Sequence, residues 1–405
     1  MTTTASSGPP PGSYRAALRV GEFDALAGAS LISLLGDSAA YLAVTVLVYQ
    51  RTGSSLLSAL TFAIAFVPYL FGGTLLSALT DRLRPKSLLI SFDLAGGALV
   101  AVTAIPAVPL PAVFAALFVI GTLAPVRSGT AAALIAEILP GDTFVAGRSV
   151  QRISSQVGQI AGTGLGGALV AVFGPRGALL TDTASFVISA AIVTLAVRAR
   201  PERVDRPAAG RPSLIADSLA GLHDIWSYPA VRRLLLLGWV LPFVGVAPEG
   251  LAAPAVAQAG HDPALVGAWM AAIPVGTVLG DLLLVWTVPP RHRRRLTWPL
   301  AVILVALLIV FAAGPSLGFS IALLVGTGAA SAYGLGLDQT LRDTTPPALL
   351  ARMYTLSTTG LMVTQGLGFA VAGALGQALP AHDVIAIAGT AGLLAVLILA
   401  SRTSS

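Results

Sequence analysis

Few residues in this chain can do chemistry, and they sit in an apolar setting. Of its 405 residues, 10% are charged and 55% are hydrophobic. Asp37 stands near the middle of the apolar run 25–49, with Ser33 and Tyr41 four residues to either side on the same helical face. An ionised carboxylate at such depth in a bilayer costs about 2.5–3.5 kcal/mol on insertion scales, so it needs an aqueous cavity or a partner. It can take up and release a proton, hold a polar group of a solute, or pack by hydrogen bonding against a neighbouring helix. Arg127 is the only basic residue deep in an apolar run, roughly 15 Å from the polar end at 1.5 Å per residue and within snorkelling reach. It faces Asp37 or a charged solute group, or it ties to Glu137 or Asp93. Glu249 follows Pro248, with Pro242 and Pro254 around it, which predicts a kinked helix with carbonyls freed for other partners. Asp93, Asp182, Asp281 and Asp338 lie nearer the ends of their runs and are expected to reach water.

Several other chemistries are excluded. The chain has no cysteine, so it has no disulfide and no thiolate metal site. Its four histidines (His223, His261, His292, His382) lie in connections on both sides of the apolar runs and cannot converge on a metal. Lys86 is the only lysine and follows Pro85, so no Walker A phosphate loop exists. Gly162, Gly164 and Gly167 have the spacing of a dinucleotide loop, but no strand precedes them. Gly314, Ser316 and Gly318 have the spacing of a hydrolase elbow, in a short connection with no strand-to-helix turn. We therefore expect neither an enzyme nor a bound cofactor.

The elements that carry these residues are twelve apolar runs: 25–49, 56–79, 87–107, 110–136, 150–173, 177–197, 230–254, 264–288, 296–313, 317–341, 352–378 and 383–401. Each approaches the ~20 residues that cross a hydrocarbon core of ~30 Å. Mean hydropathy is +0.85, a value foreign to soluble domains. Gly158, Gly162 and Gly166 recur every fourth residue on one face of the fifth run, which predicts close helix packing rather than a ligand site.

Charge sets the orientation. With the N-terminus inside, 21 of the 24 Lys and Arg fall in inside segments, two (Arg51 and Arg176) fall outside, and Arg127 lies within a run. The positive-inside rule then puts both termini in the cytoplasm. The cluster at Arg291–Arg295 is a retention charge against the inner leaflet, and without aromatic platforms beside it no nucleic acid is expected. The first residues are Thr, Ser, Gly and Pro with little else and read as a disordered tail, and no cleavable signal segment precedes the first run.

The longest polar connection follows the sixth run and divides the chain six plus six. We expect a cytoplasmic tail over 1–20, a bundle over 21–198, a cytoplasmic linker with an interfacial helix over 199–229, and a second bundle over 230–405. Within the linker, Leu214, Leu219, Leu222, Ile225 and Trp226 mark the face of that helix. The halves echo each other at an offset of 206, which aligns Pro140 with Pro346, Gln159 with Gln365 and Gly162 with Gly368. It also aligns Gly167, Ala168 and Leu169 with Gly373, Ala374 and Leu375. Six helices per copy give both copies the same orientation, as in parallel-repeat transporters.

Over about residues 20–400 the chain resembles the major facilitator superfamily. The nearest pattern is its bacterial drug and siderophore efflux branch, which includes macrolide and enterobactin exporters. Gly36-Asp37-Ser38 and Val48-Tyr49-Gln50-Arg51-Thr52-Gly53-Ser54 are similar to that branch's first helix and outer loop. Asp81-Arg82-Leu83-Arg84-Pro85-Lys86 resembles the family signature between helices two and three. Residues 158–167 with Thr181-Asp182-Thr183-Ala184-Ser185-Phe186 resemble helices five and six. Ser77, Arg84 and Thr163 depart from the family's Gly, Gly and Pro.

The resemblance implies an all-α membrane protein of twelve transmembrane helices in two pseudo-repeated six-helix bundles. It implies alternating access, with Asp81, Arg82, Arg84 and Lys86 at a cytoplasmic gate. It also implies a central cavity bearing Asp37, Tyr41, Arg127, Glu249, Tyr333 and Gln365. So sparsely charged a cavity suits lipophilic molecules. The expected function is proton-coupled export of a lipophilic small molecule by a monomer in the bacterial plasma membrane. Its partners would be the substrate, protons and lipid. A facilitator for metabolite uptake is the alternative. A polytopic membrane enzyme or sensor is the alternative of another class, and it would need a catalytic cluster or effector domain.

Overall fold

The computed structural model describes residues 17–66, 84–139, 142–198, 200, 226–346 and 349–401. Every regular element among them is helical. The linker expected over 199–229 lies outside these residues apart from Arg200 and its last four positions, and Asp81 and Arg82 lie outside them as well.

The helices follow the apolar runs because a run long enough to span can satisfy its backbone only internally. They are α1 (Gly21–Thr52), α2 (Ser55–Phe66), α3 (Pro85–Ala104), α4 (Leu110–Ile138) and α5 (Asp142–Ala196). Then come α6 (Pro229–Gly245), α7 (Ala247–Gly250), α8 (Ala252–Gln258), α9 (Leu265–Thr287) and α10 (Pro290–Ile309). After a short 3-10 turn follow α11 (Leu317–Ala330), α12 (Tyr333–Thr344), α13 (Leu350–Leu375) and α14 (Ala381–Ser401).

Ten stretches among the described residues are long and apolar enough to cross a membrane, and Ser55–Ile64 is a shorter one. One of the ten, Val157–Ala196, is two runs joined at Gly174, whose φ of 71° breaks the helix before Pro175. Counting its two arms separately and adding α2 gives twelve, the number of apolar runs. The seventh run is broken into α6, α7 and α8 around Pro248, as its three prolines predict.

By packing, the described residues fall into two compact units. The first holds α1 up to Ala40, α3, α4 and α5 up to Gly166, and its second arm from Arg176. Its core gathers Phe23 and Leu26 of α1, Leu89 of α3, Leu134 and Ile135 of α4, and Val193 of α5. Lys86 donates from Nζ to the Thr194 carbonyl at 2.7 Å. Glu22 accepts from Arg200, which lies 3.4 Å from Glu137.

The second unit holds the rest of α1 from Tyr41, α2, Gly167–Pro175 of α5, and everything described from Trp226 onward. There α2 runs along α13, α9 along α11, and α10 along α14. Gly276 and Gly280 of α9 abut the α11 backbone with no room for a Cβ. Arg293 donates to the carbonyls of Val288 and Val285, closing the end of α9.

Candidate functional site

Asp37 is half-buried, in mid-α1, within the first unit. The charges that act on it are Arg127 and Asp93. Arg127 itself binds Asp93: its Nε donates to Asp93 Oδ1 at 2.6 Å, and its Nη2 donates to Ser189 Oγ at 3.3 Å. Ser189 in turn donates to Asp93 Oδ2 at 2.6 Å. Both carboxylate oxygens of Asp93 are thus satisfied, and its side chain is fully buried. Of the partners expected for Arg127, Asp93 takes the ion pair. Glu137 goes to Arg200 instead.

A second carboxylate joins from the last arm of α5. Asp182 is 1% exposed, and its Oδ1 accepts from Ser185 Oγ at 2.9 Å. Its Oδ2 is buried without a hydrogen-bond partner among the described residues. The charge that acts on it is that of Asp37. The expectation that Asp93 and Asp182 reach water is therefore corrected. Depth along the helix exposes Asp338, but helix packing covers these two.

That packing has a clear cause. A Cβ on Gly36 would collide with Asp182 Oδ1 and Ser185 Oγ, so only glycine lets α1 and the second arm of α5 approach there. On the other side of that arm, Phe186 lies against Gly96 and Gly97 of α3, where added Cβ atoms would be 3.0 Å from its ring and from its Cβ, respectively. The first arm of α5 crosses α1 over the same stretch. A Cβ on Gly162 would sit 2.7 Å from the Leu35 carbonyl, and one on Gly166 2.7 Å from the Ala39 Cα. A Cβ on Gly158 would sit 3.0 Å from the side chains of Leu31 and Leu34. Small residues at i, i+4 and i+8 press α1 against α5 and hold Asp37 in place.

The remaining candidates belong to the second unit. Tyr41 is half-buried and stacks on Phe62 with centroids 6.3 Å apart, and Phe62 stacks on Phe369 at 4.9 Å. Phe369 also lies 2.9 Å from where a Cβ on Gly250 would be. This stack gathers Tyr41, the residue after Glu249, and the helix turn that follows Gln365. Glu249 and Gln365 are themselves half-buried. Tyr333 is buried at the start of α12 and takes no part in the stack. Of the gate candidates, Arg84 precedes α3 and Lys86 is bound to Thr194 in its own unit. Among the described residues no group of three His, Cys, Asp or Glu is arranged to hold a metal.

Sequence reasoning missed Ser185 and Ser189 and misjudged Asp93 and Asp182. A signal existed: Asp182, Ser185, Ser189 and Val193 follow at i, i+3, i+7 and i+11, one face of a helix, and all four are buried.

A bundle of apolar helices that holds a half-buried arginine among carboxylates at mid-helix depth is the build of a multi-pass membrane transporter. The profile of the Major Facilitator Superfamily matches residues 26–248, more than half of the chain, and the chain belongs to that family. No curated protein matches the sequence. Among solved structures, the nucleoside transporter NupG has a TM-score of 0.70 at 13% identity, over 95% of this chain and 99% of that one. A bacterial homologue of the human lysosomal transporter Spinster, inward-facing and occupied, has a TM-score of 0.68 at 16% identity, over 97% and 96%. A POT family transporter in complex with 5-aminolevulinic acid has a TM-score of 0.69 at 12% identity, over 94% and 95%. At these identities the likeness is one of fold. The efflux branch suggested by the motifs is not singled out by these matches.

Proposed function

We propose that this transporter exports a lipophilic small molecule in exchange for protons, by alternating access of its two sequence halves. The observation that carries this reading is the placement of Asp37. It is a half-buried carboxylate in the middle of a membrane helix, beside an Arg127–Asp93 pair that satisfies its own charges. A carboxylate left partly open in that way can gain and lose a proton, while the neighbouring arginine senses the change. The inward proton would supply about 2.3 kcal/mol per charge for each 100 mV across the membrane. The aromatic stack of Tyr41, Phe62 and Phe369 supports a lipophilic substrate, since it offers apolar ring surface with a single hydroxyl.

In this reading the protein is a monomer in a bacterial plasma membrane with both termini cytoplasmic. The six-plus-six division at 199–229 separates the moving halves, and the connection holding Asp81, Arg82, Arg84 and Lys86 works as the cytoplasmic gate. The basic connections support the orientation. Growth of a hypersensitive bacterial strain carrying the gene, on a panel of toxic lipophilic compounds, tests the reading. Export predicts raised tolerance and lower cell-associated compound. Greater accumulation in cells would indicate uptake and overturn the direction.

A further inference from the structure

We infer that Asp182 is the resting place of the transported proton, held on Oδ2, and that Asp37 is the group through which that proton exchanges with water. The inference deepens the proton-coupled reading above and rests on it for its role in transport.

Four observations meet at this point. Asp182 is covered, at 1% exposure, by α1 and its own helix. Ser185 donates to one of its oxygens, and the other is buried with no partner among the described residues. The cation of the cluster, Arg127, is spent on Asp93. Gly36 brings the Asp182 carboxyl against the α1 backbone one residue from Asp37. An ionised Asp182 would be a buried charge facing a second carboxylate, with one oxygen unsolvated, and such groups neutralise rather than persist. A neutral acid fits instead. Oδ1 is the carbonyl that accepts from Ser185, and Oδ2 carries the hydrogen.

Asp37 is half-buried and Asp182 is 1% exposed, so of the two only Asp37 keeps an open side through which a proton can pass. Transfer breaks the O–H bond at Asp182 Oδ2 and forms one on an Asp37 oxygen. It leaves an Asp182 carboxylate and an Asp37 acid, and no further reactant is needed. Among the described residues, the charged groups that act on the pair are Arg127 on α4 and Asp93 on α3. Ser33 of α1, fully buried with a hydroxyl that has no partner among the described residues, is a further polar group on the Asp37 face.

The test is infrared spectroscopy of the purified full-length protein in lipid at neutral pH, reading the C=O stretch of protonated carboxyl groups with and without ¹³C-aspartate. The unaltered protein should show an aspartic acid band. Asp182→Asn should abolish it, and Asp37→Asn should keep it. Ser185→Ala removes only a hydroxyl, so it guards against failure of the first variant to fold. Losing its hydrogen bond to Oδ1 should shift the band to higher frequency. A Ser185→Ala spectrum that superimposes on the unaltered one, or a band lost in Asp37→Asn instead, would overturn the inference. The band is read without substrate. Transport that ignores a pH gradient would therefore refute the coupling role above and leave the proton's position to be decided by the spectrum.

Discussion

Arg127 offers the sharpest energetic prediction. Replacing it with methionine keeps an unbranched apolar stem, shorter than that of arginine, and removes the cation. Asp93 would then be fully buried with Ser189 as its remaining donor. Removing one partner of a buried ion pair costs about 3–5 kcal/mol, because the other charge stays behind. Arg127 retains 21% of its side-chain exposure, so water screens part of the interaction, and the low end, about 3 kcal/mol, applies. That is roughly a hundredfold in the folding equilibrium. Removing both charges with Arg127→Met and Asp93→Asn together should recover most of the loss, since an apolar or neutral replacement of the whole pair is often close to neutral. Equilibrium unfolding in mixed detergent micelles, followed by tryptophan fluorescence, measures Arg127→Met, Asp93→Asn and the double variant against the parent as a double-mutant cycle. A loss below about 1 kcal/mol in Arg127→Met, the range of solvent-exposed pairs, would refute the buried pairing. So would a double variant no more stable than the single one.

Three further outcomes are expected. Gly162→Ala should destabilise by about 1–3 kcal/mol through overpacking against Leu35 and Ser38, whereas Gly164→Ala, with nothing within 4 Å of its new Cβ, should be neutral or stabilise by up to about 1 kcal/mol in the same unfolding assay. The Gln377 amide, turned with its oxygen toward α2, accepts from Ser54 Oγ and from the N–H groups of Ser55 and Leu56 at 2.8–2.9 Å. Gln377→Leu should cost about 1 kcal/mol, the value of a helix N-cap, and faster amide exchange at the start of α2 would show it. Reporter fusions after Arg51, Arg176, His261 and His382 should read external, and those after Lys86, Arg206 and Arg295 cytoplasmic; an inverted pattern would reject the orientation.

The helices were legible because their physics is local. A bilayer demands long apolar runs with internally satisfied backbones, and Gly174-Pro175 and Pro248 break those runs where the sequence says they must. The site was legible only in part. Asp37 and Arg127 announce themselves by their cost in an apolar helix. Their partners depend on which helices cross and at what depth, and no single run records that. Asp182 looks shallow along its own helix, yet Gly36 of another helix seals it in. Hydroxyls are equally silent. Ser38, inside the most suggestive motif, donates to Leu34 O of its own helix, as Thr163 does to Gln159 O. Ser189 instead reaches across to Asp93. Only the packing tells the two kinds apart.

The most direct test of proton coupling through this cluster is uphill transport by Asp37→Asn in proteoliposomes under an imposed pH step, with a compound chosen from the tolerance panel. The variant should bind the compound and equilibrate it across the membrane, as the unaltered protein does, yet fail to accumulate it against a gradient. Accumulation by Asp37→Asn at the rate of the unaltered protein would contradict the assignment of Asp37, and accumulation by the unaltered protein that ignores the pH step would contradict proton coupling itself.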